Sequence, residues 1–327
     1  MSADVRLRDG VEIEFASGET VVLDGAGAGD ATVVSHAHGD HMVESAQRVI
    51  ASETTAALAA VRGDGGGPTP VDHPAVDLIE AGHVAGSRAA ALTDPETGER
   101  VLYTGDCSTR DRFYLSGFEP VDADVLVIEA TYGRPDYRFP RTAAVVGAIR
   151  DWLADTMDRV VLLFGYALGR AQKLQRILAD SPRNRVFVTG AVERLNRIVA
   201  DRLDVSFPAE RYDAEVDLLP GDALVIPMQT ARLSWIESLV DRHDALTAGF
   251  SGWATDQSFV YRRGYDEGFV LSDHCDFDEL VEVVRDVDPE RVYTQHGFAV
   301  TLADHLATEY GYEARALDRH QSTLADF

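Results

Sequence analysis

The feature that most constrains this chain is the heptapeptide Ser35-His36-Ala37-His38-Gly39-Asp40-His41. Three imidazoles and one carboxylate fall within six positions. They follow Ala31-Thr32-Val33-Val34, which reads as a buried strand. An extended strand end followed by a tight turn points His36 and His38 one way and Asp40 and His41 another. Such a set can be presented to two adjacent metal ions. Neutral imidazole and carboxylate suit zinc and similar divalent metals. The plainer reading is a polar loop of chance composition. The apolar strand in front of it weighs against that, because a strand that delivers histidines to its carboxyl end forms the edge of a site.

His-x-His-x-Asp-His after a short apolar strand resembles the signature of the metallo-β-lactamase-fold hydrolases. The resemblance implies an α/β fold, an αββα sandwich with a one- or two-metal site at one edge. It also implies further ligands in a set order. His83 in Ala81-Gly82-His83-Val84-Ala85-Gly86-Ser87 matches the next, Asp106 in Leu102-Tyr103-Thr104-Gly105-Asp106 the one after. His296 in Arg291-Val292-Tyr293-Thr294-Gln295-His296-Gly297 matches the last. With these, all seven ligand positions are filled, and the resemblance covers essentially the whole chain.

The chain is organised in two textures. Up to about residue 25 apolar and polar positions alternate, with turns near Arg8-Asp9-Gly10 and Ser17-Gly18-Glu19, as in an antiparallel meander. A strand at 48–51, an alanine-rich helix at 54–61, a hairpin over 88–104 turning at Asp94-Pro95-Glu96-Thr97-Gly98 and a central strand at 124–128 follow. Between the helix and the hairpin, glycine content alone predicts a mobile loop at 63–68. After about residue 138 strands and helices alternate: helix 141–157, strand 159–164, helix 169–179, strand 185–189, helix 191–202, strand 223–227, helix 233–242. That alternation predicts a parallel sheet covered by helices. From about 268 the metal-site pattern resumes, with a strand before His274, helix 276–286, a strand before His296 and helix 299–310. The expected division is therefore 1–137 and 268–327 for the metal-site domain, with 138–267 inserted.

An insertion between Asp106 and the last histidine resembles the β-CASP branch of that fold, whose members cut nucleic acids. Three marks of the branch have counterparts here: Glu129 in Ile128-Glu129-Ala130-Thr131-Tyr132-Gly133, His274 in Leu271-Ser272-Asp273-His274-Cys275-Asp276, and His296. Phe164-Gly165-Tyr166-Ala167-Leu168-Gly169-Arg170-Ala171-Gln172 is similar to a segment of the inserted domain. The implied cofactors are two divalent ions, zinc in the first place and manganese as the alternative. His36, His38, His83 and Asp106 are assigned to one, and Asp40, His41, Asp106 and His296 to the other. A bridging Asp106 suits ions about 3.5–4 Å apart, the spacing used for phosphodiester cleavage. Asp40, Glu129 and His274 are the expected catalytic residues, with His274 a general acid held in its donating form by Glu129. The alternative for His274 is a structural histidine capping the helix that begins near Asp276.

Arg170 and Lys173, at a helix start, are candidates to hold backbone phosphate; an ordinary solvated face is the alternative. Arg134, Arg138 and Arg141 are weaker candidates for the substrate path. His73, His243, His305 and His320 fall outside the pattern and are read as having no catalytic part. Cys107 and Cys275 give no disulfide framework and are read as small buried fillers. The implied partner is single-stranded RNA or DNA. His296 resembles RNA-processing members such as mRNA 3′-end processing factors, where the DNA-directed Artemis-like group tends to carry valine. The segment Thr189–Arg197 instead resembles bacterial exonucleases associated with a DNA ligase. A small-molecule hydrolase of the same fold and a catalytically dead RNA-binding subunit are the other classes weighed; Glu129 and His274 count against the first, the full ligand set against the second.

Acidic residues outnumber basic ones 55 to 30, for a net charge of −25, and Lys173 is the only lysine. Nucleic-acid binders usually carry basic patches, but molar salt would screen that attraction and leave metal–phosphate bonds, arginine forks and stacking, so the charge balance weighs little in either direction. Met1-Ser2-Ala3-Asp4 lacks signal-peptide character and no apolar run approaches a membrane span, so a cytoplasmic protein is expected. A surface this acidic repels itself, and concentrated salt, where the Debye length falls to roughly 3 Å, screens that repulsion. The haloarchaeal-type composition predicts a protein of a salt-loaded cytoplasm. Its melting temperature should climb with KCl; equal stability in very low and molar salt would contradict this.

Overall fold

The computed structural model describes residues 2–43, 48–63 and 67–317. The centre of the glycine-rich loop, 64–66, and His320 lie outside the described residues. The chain divides into two compact units: Met1–Asp111, Leu115–Asp136 and His274–Phe327 form one, and Arg112–Tyr114 with Tyr137–Asp273 the other.

Two larger sheets, beside the short parallel pair Arg48–Val49 and Thr69–Pro70, build the first unit. Asp4–Arg8, Gly10–Glu14 and Thr20–Leu23 form the antiparallel meander, and Ala31–Val33 joins it parallel to Thr20–Leu23. The second sheet has the order Glu313–Ala316, Arg291–Gln295, Val125–Glu129, Arg100–Tyr103, Arg88–Thr93, Val76–Glu80. Its first four strands are mutually parallel, and the last two add antiparallel as hairpins. Asp94, buried in the turn between Arg88–Thr93 and Arg100–Tyr103, accepts from the backbone N–H of Glu96 (2.9 Å) and of Ala16 (3.1 Å).

The run Val125-Leu126-Val127-Ile128 is fully buried because both faces of its strand are covered. Val125 and Val127 pack with Val11, Ile13, Val21 and Leu23 of the meander. Leu126 and Ile128, pointing the other way by the two-residue period of a strand, pack with Leu280, Val284 and Val287 of the helix Phe277–Val287. That helix starts cleanly because Asp276 accepts from the Glu279 N–H (3.0 Å) while Glu279 accepts from the Asp276 N–H (2.8 Å). Its stripe Phe277, Leu280, Val281, Val284, Val287 has helical spacing, and each fully buried side chain contributes about 1.5–3 kcal/mol. The expected helix 299–310 runs as Ala299–His305 and then loosens into one π turn, Leu306–Tyr310, closed by Gly311.

The second unit is a six-stranded sheet, parallel throughout, in the order Glu210–Arg211, Val186–Val188, Ala223–Pro227, Val161–Gly165, Leu246–Phe250, Glu267–Phe269. One face carries Val161, Leu163 and Val225 against Ile149, Leu174 and Ile177 of the helices Thr142–Asp155 and Arg170–Ala179. The other carries Leu162, Phe164 and Ile226 against Ile236 and Leu239 of Ser234–His243. The sequence reading did not place Glu210–Arg211 or the short helix Ser258–Arg263, and two further elements differ from it. Leu246–Phe250 was not anticipated, since Leu-Thr-Ala-Gly-Phe lacks a branched apolar run. Gly249 is needed there because a Cβ would lie 2.4 Å from the Tyr265 ring. The strand expected to reopen the metal-site region, Glu267–Phe269, pairs instead with Leu246–Phe250, and Phe269 stacks on Phe250 with ring centres 5.3 Å apart. No helix among the described residues is long and apolar enough to cross a membrane.

Candidate metal centre

Strand ends deliver the candidate ligands of the first unit. Ala31–Val33 runs into Ser35 and His36, and Val76–Glu80 is followed by His83. Arg100–Tyr103, Val125–Glu129 and Arg291–Gln295 are parallel, and the register pairs Val127 with Tyr103 and Glu129 with Gln295. Asp106, Glu129 and His296 therefore leave one edge of the sheet side by side. The backbone turns sharply to allow it. Gly105 has φ +54°, and a Cβ there would meet Ser35 at 2.8 Å. His296 itself is left-handed at φ 60°, and the following Gly297 lies so close to Ala130 and Thr131 that a Cβ would fall 2.4 Å from their backbone.

The first donor set is compact. His36 Nε2 is 3.0 Å from His38 Nδ1, and His83 Nε2 is 3.2 Å from the same atom. Asp106 Oδ2 stands 3.5 Å from His36 Nε2 and 3.6 Å from His83 Nε2. The edge of a tetrahedron with bonds of about 2.0–2.1 Å is about 3.3 Å, so these spacings fit a four-coordinate ion such as zinc. Tautomers fit as well. Ser35 Oγ gives its proton to Asp24 (2.6 Å), so it accepts from His36 Nδ1–H (2.9 Å) and leaves a lone pair on Nε2. Lone pairs turned toward one another are unfavourable until a cation lies among them. Burial, followed by the neighbouring imidazoles, accordingly pushes His36 well below its ordinary value.

The second set is gathered less tightly. His41 Nε2 lies 3.7 Å from Asp106 Oδ2 and 3.8 Å from Asp40 Oδ2, and the His296 ring centre is 5.5 Å from that of His41. Asp40 and His296 are exposed, whereas His41 is buried. Asp106 Oδ2 thus faces both sets. A residue that the sequence reading missed anchors His41: Asp24 accepts from His41 Nδ1 (2.8 Å), the Ser35 N–H (2.7 Å) and Tyr103 Oη (2.8 Å). The signal was there in the pairing of Thr20–Leu23 with Ala31–Val33, since the register Leu23↔Val33 sets Asp24 beside the histidine-bearing segment. Burial opposes the charge on His41, but Asp106 and then Asp24 outweigh it and raise its value to about 10. Asp24 is held below the usual carboxylate range: burial works against it, and the His41 charge and the bonds from His41 and Ser35 prevail.

Beside these sets, both oxygens of the fully buried Glu129 lie 3.0 Å from His274 Nδ1, which is itself 4.0 Å from Asp106 Oδ2. Glu129 also accepts from the Cys107 N–H at 2.8 Å. Burial alone would raise its value; the His274 charge and hydrogen bond bring it below the ordinary one. Cys107 and Cys275 are buried with sulfurs 3.9 Å apart, and the Cys275 N–H donates to the Cys107 carbonyl (2.8 Å).

Arg170 and Lys173 take a different place from the one anticipated. In the second unit they are 2% and 0% exposed and bind one carboxylate, Asp273, at 2.8 and 2.6 Å. Their charges are spent inside the protein, so they offer no surface for phosphate. Burial, partly offset by Asp273, lowers Lys173 to about 8. Arg134 pairs with Asp136 and lies over the Phe298 ring, Arg138 is exposed, and Arg141 precedes the helix Thr142–Asp155. His73 binds Glu19 (3.1 Å), His305 packs on Phe277, and His243 ends the helix Ser234–His243.

The fold and the cluster define an α/β protein, consistent with the metallo-β-lactamase fold, whose buried histidines and aspartates are able to bind metal ions. No protein-family model matches the chain. It is similar to a probable DNA ligase of Opitutus terrae, 33% identical over 299 residues that cover 87% of this chain and 28% of that protein. It is also similar to probable RNase MJ4 of Methanocaldococcus jannaschii, 23% identical over 289 residues covering 73% of this chain and 66% of that one. The chain thus spans less than two thirds of either relative. Among solved structures, a protein of unknown function from Enterococcus faecalis V583 shares the fold, with a TM-score of 0.63, 13% identity and 97% of each chain covered.

Outer-shell partners of metal ligands typically contribute about 10–100-fold in affinity. Asp24→Asn should weaken metal binding by that factor in a chelator-competition titration. Because binding must displace the proton that His41 carries below about pH 10, wild-type affinity should rise with pH toward that value, and the variant should flatten the slope. Equal affinity and equal slope in both proteins would contradict the role given to Asp24.

Proposed function

We propose that the chain is a nuclease of the β-CASP branch of the metallo-β-lactamase fold, hydrolysing phosphodiester bonds of single-stranded nucleic acid. In this reading the residues 138–267 are the inserted domain. His36, His38, His83 and Asp106 hold one divalent ion; Asp40, His41, Asp106 and His296 hold the other. The observation that carries it is one oxygen, Asp106 Oδ2, facing both donor sets with the His274–Glu129 pair beside it.

Bound ions of this kind lower the pKa of water and offset the charge of a phosphate's non-bridging oxygens. The chain's own residues supply the rest. In-line attack expels an alkoxide, which needs a proton. Glu129, buried and ionised, accepts from His274 Nδ1–H, stabilises the imidazolium and leaves Nε2–H as the donor to the leaving oxygen. His41 and His36 are fixed through their Nδ1 atoms by Asp24 and Ser35, which keeps each Nε2 available for a ligand bond.

RNA is the favoured substrate, on the histidine at 296 and the similarity to a protein named RNase. The second reading, a DNA exonuclease of the ligase-associated type, is favoured by the similarity to a probable DNA ligase over 87% of this chain. End-labelled single-stranded RNA and DNA, incubated in high salt with zinc or manganese, separate the two and distinguish trimming from internal cuts. His274→Ala should keep its metal content and lose about 10²–10⁴-fold in rate. Unchanged turnover in that variant, or intact strands with the wild type, would overturn the reading.

A further inference from the structure

A surface cleft of about 570 Å³ in the second unit is lined by Arg232, Trp253, Phe259, Arg262 and Arg263. We propose that it binds a nucleotide of a single-stranded nucleic acid, the guanidinium groups taking phosphate and Trp253 taking the base. The identity of this ligand rests on the nuclease reading; the existence of the site does not.

Charge is the first argument. In a chain of net charge −25, a lining with three arginines and no carboxylate is a local reversal. Arg262 is answered by Asp256 at 2.8 Å, but neither Arg232 nor Arg263 has a salt bridge among the described residues. Carboxylates do border the region: Glu237, Asp241 and Asp266 line the adjoining hollow that Arg232 and Arg263 share. Asp266 is already engaged by Thr247, through its N–H and Oγ1, both at 2.8 Å. Arginine is suited to this task, since its planar fork binds phosphate with two bonds and stacks on bases.

A second, independent observation is Tyr265. Its side chain is only 7% exposed, its hydroxyl has no hydrogen-bond partner among the described residues, and it lines the adjoining hollow together with Arg232 and Arg263. Buried hydroxyls are ordinarily satisfied, so an unpaired one in the hollow that the two unbridged arginines share leaves a donor for a ligand oxygen reaching over from the cleft. Aromatic exposure is the third: Tyr261 is 89% exposed on the same short helix, Ser258–Arg263, that supplies Arg262 and Arg263. Topology agrees. Arg232 follows Ala223–Pro227 and Trp253 follows Leu246–Phe250, the two parallel strands that flank Val161–Gly165. Ligands of open parallel sheets gather beyond such carboxyl ends. Electrostatic contact plus stacking on an aromatic ring is the usual chemistry of single-strand binding without sequence readout.

The test uses the metal-loaded protein carrying His274→Ala, titrated with a fluorescein-labelled oligouridylate or oligothymidylate. Anisotropy reports affinity and tryptophan emission reports stacking. Arg232→Gln with Arg263→Gln should weaken binding at least about ten-fold and reduce the slope of log affinity against log salt by about one per arginine. Trp253→Leu should remove most of the quenching. Arg194→Gln with Arg197→Gln, on the helix Gly190–Leu203, makes the same change in charge elsewhere in the unit and should leave affinity within about two-fold. Equal binding by the first pair and its parent, or an equal loss in the charge-matched control, would overturn the proposal. Failure of the wild type to cut either strand would count against the nuclease reading alone, because the binding arms are read without cleavage.

Discussion

A single carboxylate oxygen, Asp106 Oδ2, lies within 3.5–4.0 Å of nitrogens from His36, His41, His83 and His274. Strand ends and left-handed turns of the first unit bring that meeting about. Four imidazoles and a carboxylate packed this tightly, most of them out of water, form an arrangement that nothing in an ordinary core favours. Burial penalises any charge left there, which is why Asp106 is itself raised above the usual carboxylate range, burial first and the Glu129 charge adding to it against the imidazoles. A cation resolves the conflict, since it uses the lone pairs that otherwise face one another.

The fold supplies the rigidity this requires. Three adjacent parallel strands end on Asp106, Glu129 and His296, and the buried run at 125–128 locks their register by filling the space on both faces. The meander contributes through the pairing of Thr20–Leu23 with Ala31–Val33, which puts Asp24 under His41. Local backbone cost is concentrated at the same edge, in the left-handed turns at Gly105, His296 and Gly297. Core packing thus holds a geometry that the site's own electrostatics resist.

Much of this was legible in the sequence. The histidine spacing at 36–41 marks a strand end, and the unbroken apolar run before Glu129 predicts a strand covered on two sides. What escaped the reading depended on partners distant in the chain. Arg170 and Lys173 look alike whether a helix face meets water or an ion pair, and their partner Asp273 is 103 and 100 residues away. Asp24 reads as a turn residue before glycine until the strand register shows where its carboxylate lies. Leu246–Phe250 was hidden by Gly249, a residue chosen by the Tyr265 ring and not by strand propensity.

Whether Asp106 joins two metal positions into one centre decides the proposed chemistry. Metal content per chain, measured by mass spectrometry after exhaustive dialysis, tests this in the wild type and in Asp106→Ala. Two ions retained by the wild type, and both weakened together in the variant, is the predicted result. A wild type that retains none, or a variant that retains both, would contradict it.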